Sequence, residues 1–323
     1  MRNDKVLRAL LCIGICACAS ATSIRLCVAD DTLQNPRTWE PVSAGPVTAW
    51  TAPHCGKGKL VIQPFIFYNR VRGSFDSEGK LIKLSDGDDS YQLMQQFFMQ
   101  WGISERLEVD AQTVYQESYT TQSDLRAHAQ GIGDSFLFLR YCFYDETKYI
   151  PDIAGLFQIK VPSAKYQDAD PNKLGTDLMG AATGAGSWAY GIGLNFTKKF
   201  KPFVLHADAV YNFPQEVSID DVETRHGRYL NYDVALEWIL PKGFNLLAEF
   251  NALTQRDRLQ RGQKIVDSGV KQFVISPGIG WSNKKFQTLL AYQRTLRGRN
   301  VAASDAIVFT IVYTFNVSGG KPQ

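Results

Sequence analysis

This 323-residue chain is poor in the residues that build reactive centres. It has four histidines and six cysteines, and Cys12, Cys16, Cys18 and Cys27 crowd into its first 27 positions. That leaves Cys55 and Cys142, enough for one disulfide at most and too few for a thiolate metal site. Beyond residue 29 no CxxC pair or Cys/His cluster has metal-ligand spacing. Gly131-x-Gly133 and Gly191-x-Gly193 lack the third glycine and the helix of a nucleotide-binding turn. Asp86-Gly87-Asp88-Asp89 lacks the full calcium-loop pattern. No His-x-Ser pair lies on a strand, which argues against a phospholipase-type site. Catalytic residues, metal ligands and cofactors are accordingly none.

Net charge is missing too. The formal charge is +3, but Arg2, Lys5, Arg8 and Arg25 face one anion, Asp4, in the first 29 residues. The remaining 31 cations and 31 anions balance, which argues against a nucleic-acid partner. Long apolar runs are scarce. Ala9 to Ile24 is uncharged for 16 residues, too short to cross a bilayer comfortably as a helix. Leu178 to Thr197 is uncharged for 20, but five glycines make it a loop end running into a strand. A mean hydropathy of -0.19 excludes a polytopic helical membrane protein. It does not exclude a β-barrel, whose strands average apolar and polar faces.

What is present begins with a basic stretch, the uncharged run and small residues at Ala19-Ser20-Ala21 and Cys27-Val28-Ala29. This is the pattern of a cleaved export signal over residues 1–29. Residues 30–56 are read as a periplasmic N-terminal segment that can plug a barrel mouth, and 317–323 as a C-terminal tail.

Between them, over 57–316, the dominant period is two. Trp188, Tyr190, Ile192, Leu194 and Phe196 alternate with Ala189, Gly191, Gly193, Asn195 and Thr197. Leu230 to Trp238 and Ile307 to Phe315 repeat the pattern, whereas the first two strands alternate poorly. Twelve strands are predicted near 58–70, 91–102, 106–117, 132–144, 153–163, 186–198, 202–214, 228–240, 243–256, 271–282, 285–297 and 305–316. Short connections such as 103–106 and 241–243 alternate with long polar ones such as 71–90 and 164–185. Outer-membrane barrels sort their loops this way, with tight periplasmic turns and long outer loops. The fold class is all-β: one antiparallel transmembrane β-barrel.

Aromatic residues gather near strand ends, among them Trp101, Tyr144, Trp188, Tyr229, Trp238, Phe244, Trp281 and Tyr313, as interfacial girdles. The opposite face carries Glu108, Asp110, Arg140, Lys160, His206, Asp208, Asp233, Glu237 and Glu249. Buried in a dry sandwich core, these charges would cost several kcal/mol each; lining a wet lumen removes most of that cost. They are the candidate lumen-lining residues. An acid excess there gives weak cation preference, and the plainer reading pairs Glu108 or Asp110 with Arg140 and Lys160. His226 near Asp220 and Asp221 is the one candidate for a rim hydrolase, although solvated loop charges are far commoner.

Three stretches resemble one family. Gly131-Ile-Gly-Asp134, followed by Leu137, Leu139, Arg140 and Tyr141, is similar to the "GxGD" strand of outer-membrane proteins of the MetA pathway of phenol degradation. Phe157 to Lys165 resembles its "PTGK" strand end, with Ser163-Ala164 in place of Thr-Gly. Gly186-Ser-Trp-Ala-Tyr-Gly-Ile-Gly193 resembles "GSWDYGxG", with Ala189 in place of Asp. The resemblance implies a barrel of about twelve strands in the outer membrane of a Gram-negative-type bacterium, passing small, often aromatic, hydrophobic compounds. Its expected partners are outer-membrane lipids, the barrel-assembly machinery and a small-molecule solute. The alternatives are a filled, non-transporting surface barrel and the rim hydrolase.

Overall fold

The computed structural model describes residues 39–122, 125–164, 184–219, 221–283 and 285–317. The signal segment, Asp220, Lys165, residues 178–183 of the glycine-rich stretch and the tail from 318 lie outside them. Twelve long strands follow one another in chain order: β1 (Lys59–Phe75), β2 (Asp89–Gly102), β3 (Leu107–Gln122), β4 (Ser135–Tyr144), β5 (Asp152–Val161) and β6 (Ala189–Phe200). They continue as β7 (Phe203–Pro214), β8 (Tyr229–Ile239), β9 (Phe244–Gln255), β10 (Val270–Ser282), β11 (Phe286–Arg299) and β12 (Val301–Asn316). Each pairs antiparallel with its neighbours in sequence. β12 then pairs with β1 from Lys59↔Asn316 to Phe75↔Val301, closing the barrel. Closure leaves no unpaired edge, the condition a sheet must meet in hydrocarbon.

All twelve predicted strands are there, several longer than expected. The first and last reach Phe75 and back to Val301. The short pieces Leu81–Lys83 and Leu125–Ile132 were not expected; they extend hairpins on β1 and β3. Four more, from Glu216–Ile219 to Gln263–Lys264, form a separate sheet in the long loops. Loops outside a membrane carry no lipid-facing constraint, so these pieces have no apolar alternation to read.

The outer surface is apolar. Ile192, Phe250 and Ile307 are each more than half exposed on three different strands. A soluble protein rarely leaves such residues exposed all round a barrel, whereas hydrocarbon accepts them. Trp101, Phe200, Trp238, Phe244 and Tyr313 ring the end that carries the short turns, and all are exposed. Tyr229 does not join a girdle. By strand parity it shares the inward face with Asn231 and Asp233, and it lines an internal cavity.

Candidate functional site

The site lies inside the barrel, and it starts with a segment that cannot be a strand. Residues 39–58 contain Pro41, Pro46 and Pro53, and Gly45, Gly56 and Gly58 have positive φ. Prolines remove sheet donors and fix φ, so this stretch does not join the ladder. Its remaining N–H groups need other acceptors, and carboxylates on the inner wall supply them.

Strand register gives the path. Glu40 meets Lys199 Nζ at 3.0 Å, next to the short-turn end of β6. Ser43 Oγ donates to Glu237 near the same end of β8. At mid-barrel the N–H groups of Val47, Thr48 and Ala49 converge on the Glu249 carboxylate at 2.6, 2.9 and 3.1 Å. Trp50 N–H donates to Asp208 Oδ2 at 2.7 Å. The chain then descends: Ala52 N–H donates to Thr197 Oγ1, and Cys55 N–H to Glu108 Oε2 at 2.6 Å. Finally Gly58 N–H donates to the Gly102 carbonyl, where β2 ends. The segment enters and leaves through the short-turn rim and reaches half-way up the lumen. Glu249 is fully buried with no ion pair among the described residues; three backbone donors and Asn251 Nδ2 bond its oxygens. Hydrogen bonds to a charged group contribute about 1.5–3 kcal/mol each.

Arg140 is a fully buried cation at this wall. Its Nη1 lies 2.6 Å from Glu108 Oε1 and 3.5 Å from Asp110 Oδ2. Its Nη2 donates to the Thr51 carbonyl, and its guanidinium sits 5.2 Å from the Trp50 ring centre. One side chain thus ties β3, β4 and the inserted segment together. The expected pairing of Lys160 with Glu108 or Asp110 does not occur: Lys160 Nζ bonds Asp134 Oδ2 at 2.9 Å, toward the long-loop end of β5.

His206 bridges Thr197 Oγ1 at 2.9 Å and Glu237 Oε1 at 3.0 Å. An acid–imidazole–hydroxyl chain has the outline of a hydrolase triad. However, the hydroxyl also accepts Ala52 N–H and the acid accepts Ser43 Oγ and Asn245 Nδ2, so the chain clamps the inserted segment. Asp208 and Asp233 face each other directly across β7 and β8, both buried. All nine predicted residues are at most 7% exposed.

A feature the sequence did not disclose is the opposite wall. Phe65 and Phe67 on β1, Phe98 on β2, and Phe136 and Phe138 on β4 point inward with Gln63, Gln96 and Gln112. Between this wall and residues 44–51 lies a cavity of about 420 Å³. Trp50 leans into the wall, its ring centre 4.7 Å from Phe138 and 5.7 Å from Phe98. These strands are apolar on both faces, so alternation vanished where the lumen is aromatic. Poor alternation in a barrel strand was itself the available signal.

At the long-loop end the three family-like stretches converge. Asp134 Oδ2 accepts both Lys160 Nζ and Ala185 N–H at 2.9 Å, and Ser163 Oγ donates to the Gly133 carbonyl. A Cβ on Gly184 would collide with the Asp134 carboxylate, so the close approach needs glycine. His226 contacts the Ala185 carbonyl at 3.2 Å rather than an acid. Burial, aided by the charges of Lys160 and Arg258, keeps its pKa below the usual histidine value against the opposing pull of that carbonyl. Among the described residues His226 makes no bond to an acid, so the rim-hydrolase reading gains no support from its geometry; Asp220 lies outside them.

A family model described as "Putative MetA-pathway of phenol degradation" matches residues 93–311, about two thirds of the chain. The chain belongs to this family. No curated protein matches it by sequence. Among solved structures, the COG4313 outer membrane channel from Pseudomonas putida F1 superposes with TM-score 0.66 at 12% identity, covering 84% of this chain and 100% of that one. The NanC porin gives TM-score 0.45 at 7% identity, over 78% and 99% of the two chains. The β domain of the Bordetella autotransporter BrkA gives 0.45 at 10%, over 79% and 99%. The first likeness supports the twelve-stranded closed barrel of this family member.

Cys55 and Cys142 are both free thiols. Cys55 sits at the base of the inserted segment, and burial, reinforced by the Glu108 carboxylate, pushes its thiol well above the usual range. A raised thiol pKa leaves less thiolate at any pH below it. We therefore expect Cys55 to react with a maleimide at pH 8 more than about tenfold slower than a free thiol. Gly102→Ala places a methyl group on the Gly56 carbonyl and should speed labelling by displacing the base of the segment. Equal rates in both proteins would show that the segment is not seated there.

Proposed function

We propose that this barrel is an outer-membrane channel for small aromatic or amphiphilic solutes, narrowed by residues 39–58. The observation that carries this reading is the cavity of about 420 Å³ between Trp50 and the phenylalanine wall, rimmed by glutamine amides. Rings pack on rings with offset or edge-on contacts, and the amides accept or donate to a hydroxyl or carbonyl substituent. Of the nine inner-wall residues, Arg140 borders this cavity, and Glu108, Asp110, Lys160, His206, Asp208, Asp233, Glu237 and Glu249 would line the solute path once the segment is displaced, where their acid excess favours cations over anions. No catalytic step is required. The short turns face the periplasm and the long loops the exterior. The aromatic end of β12, Tyr313-Thr-Phe315, supports delivery by the barrel-assembly machinery. The carboxylate-held segment favours a closed resting state, which is also what a filled, non-transporting barrel would have.

Planar-bilayer recording separates these. A channel shows unitary steps that aromatic solutes block in a concentration-dependent way; a filled barrel shows none. Replacing Phe98 and Phe138 together by alanine removes two ring faces, each worth about 1 kcal/mol, so the blocking concentration of a phenolic solute should rise roughly thirtyfold. Unaltered block would place the aromatic path elsewhere.

A further inference from the structure

A second concave site lies on the rim that carries the long loops, where cations outnumber anions. A pocket of about 530 Å³ is lined by Arg225, Arg228, Arg256, Lys264, Lys271 and Arg299, with Asp257 as the one acid among its lining residues. Asp257 is already engaged, bonding Lys264 Nζ at 3.0 Å and Gly269 N–H at 2.7 Å. Arg299 pairs with Asp267. Arg228, Arg256 and Lys271 meet no carboxylate at ion-pair distance among the described residues, although the chain after residue 29 is formally neutral.

Their direction is set by the ladder. Asn231 and Asp233 face inward on β8, so Arg228 projects outward, and its guanidinium lies 5.5 Å from the outward ring of Phe213. Arg256 follows Gln255, the inward partner of Tyr229, and is exposed. Lys271 and Phe273 share the outward face of β10, paired with Arg299 and Arg297. Just below, the Tyr232 and Phe273 rings meet at 6.5 Å, marking the aromatic level of the barrel wall. Arg228 and Lys271 therefore stand on the outer side of the barrel, beside this aromatic level, while Gln255 and His226 close the pocket on its inner side. Gly227 permits this shape: a Cβ there would overlap the Arg256 carbonyl.

Like charges gathered at a low-dielectric boundary repel unless an anion joins them. An anion approaching from the outer side meets Arg228 and Lys271 first, and above an aromatic level of a barrel wall the anions at hand are leaflet phosphates. We infer that this ledge binds the phosphate groups of a phosphorylated outer-leaflet glycolipid, with Arg228, Arg256 and Lys271 as its principal contacts. Guanidinium and ammonium donors forked onto phosphate oxygens give short, charge-assisted bonds. The inference rests on the outside-facing orientation of the long loops and not on solute passage.

The test uses full-length protein in neutral detergent and diphosphorylated lipid A as the probe. Arg228→Gln, Arg256→Gln and Lys271→Gln combined should weaken binding on the order of a hundredfold at low salt, with wild-type affinity losing strength as salt rises. The charge-keeping set Arg228→Lys, Arg256→Lys and Lys271→Arg should retain most of it, as should Lys285→Gln on the opposite rim. Dephosphorylated lipid A should bind as weakly as the glutamine variant. Wild-type affinity in the glutamine variant overturns the proposal, as does equal binding of dephosphorylated lipid. Displacement of the lipid by equimolar inorganic phosphate would also overturn it, assigning the pocket to a free anion.

Discussion

Deleting residues 39–56 is expected to raise single-channel conductance severalfold and to sharpen preference for cations. The physical basis is the set of bonds that hold the segment. Glu249, Asp208, Glu108 and Glu237 each spend at least one oxygen on it. Removal empties the part of the lumen that the segment fills and turns those oxygens toward water. Six of the nine inner-wall ionisable groups discussed above are carboxylates, set against Arg140, Lys160 and His206. A wetter, more negative lumen passes cations more readily. The deletion stops short of Lys59, the first residue of β1, so the β1–β12 ladder that closes the barrel keeps its register. Reversal potentials in a salt gradient measure selectivity alongside conductance. Unchanged conductance would mean that the segment does not restrict flow.

The second large effect belongs to Arg140. Replacing it by alanine leaves Glu108 and Asp110, both fully buried, without their cation. Removing one partner of a buried pair costs about 3–5 kcal/mol, because a charge remains desolvated and unpaired. The same change releases the Thr51 carbonyl and the face of Trp50, so the segment should loosen as well. Arg140→Lys should recover less than half of the loss, since one ammonium cannot reach two carboxylates and a carbonyl in the guanidinium's fork geometry. Urea unfolding in lipid vesicles reads the stability, and Cys55 labelling reads the seating of the segment. A loss below about 1 kcal/mol for Arg140→Ala would show that water reaches these carboxylates and carries their charge.

Residue by residue, legibility followed locality. Ile192 or Ile307 reads as lipid-facing because each sits in an unbroken alternation, and a charge placed on that face would meet hydrocarbon. Glu237 and Asp233 then fall on the other face by parity alone. Partners are a different matter. Lys160 and Asp134 are 26 residues apart and meet only because β4 and β5 pair in a particular register and Asp134 caps the end of β4. Phe136 and Phe138 were hidden because Leu137 and Leu139 beside them are equally apolar.

The amino-acid sequence by itself determined the number of strands, their two faces and the asymmetry of their connections, since each rests on neighbours two residues apart or on turn composition. Tertiary structure decided what fills the lumen. Glu249 and Val47 are 202 positions apart, and Ser43 and Glu237 are 194 apart. No local pattern encodes such contacts. They exist because a closed barrel leaves inward carboxylates in need of donors, and a proline-broken segment carries donors that no sheet can use.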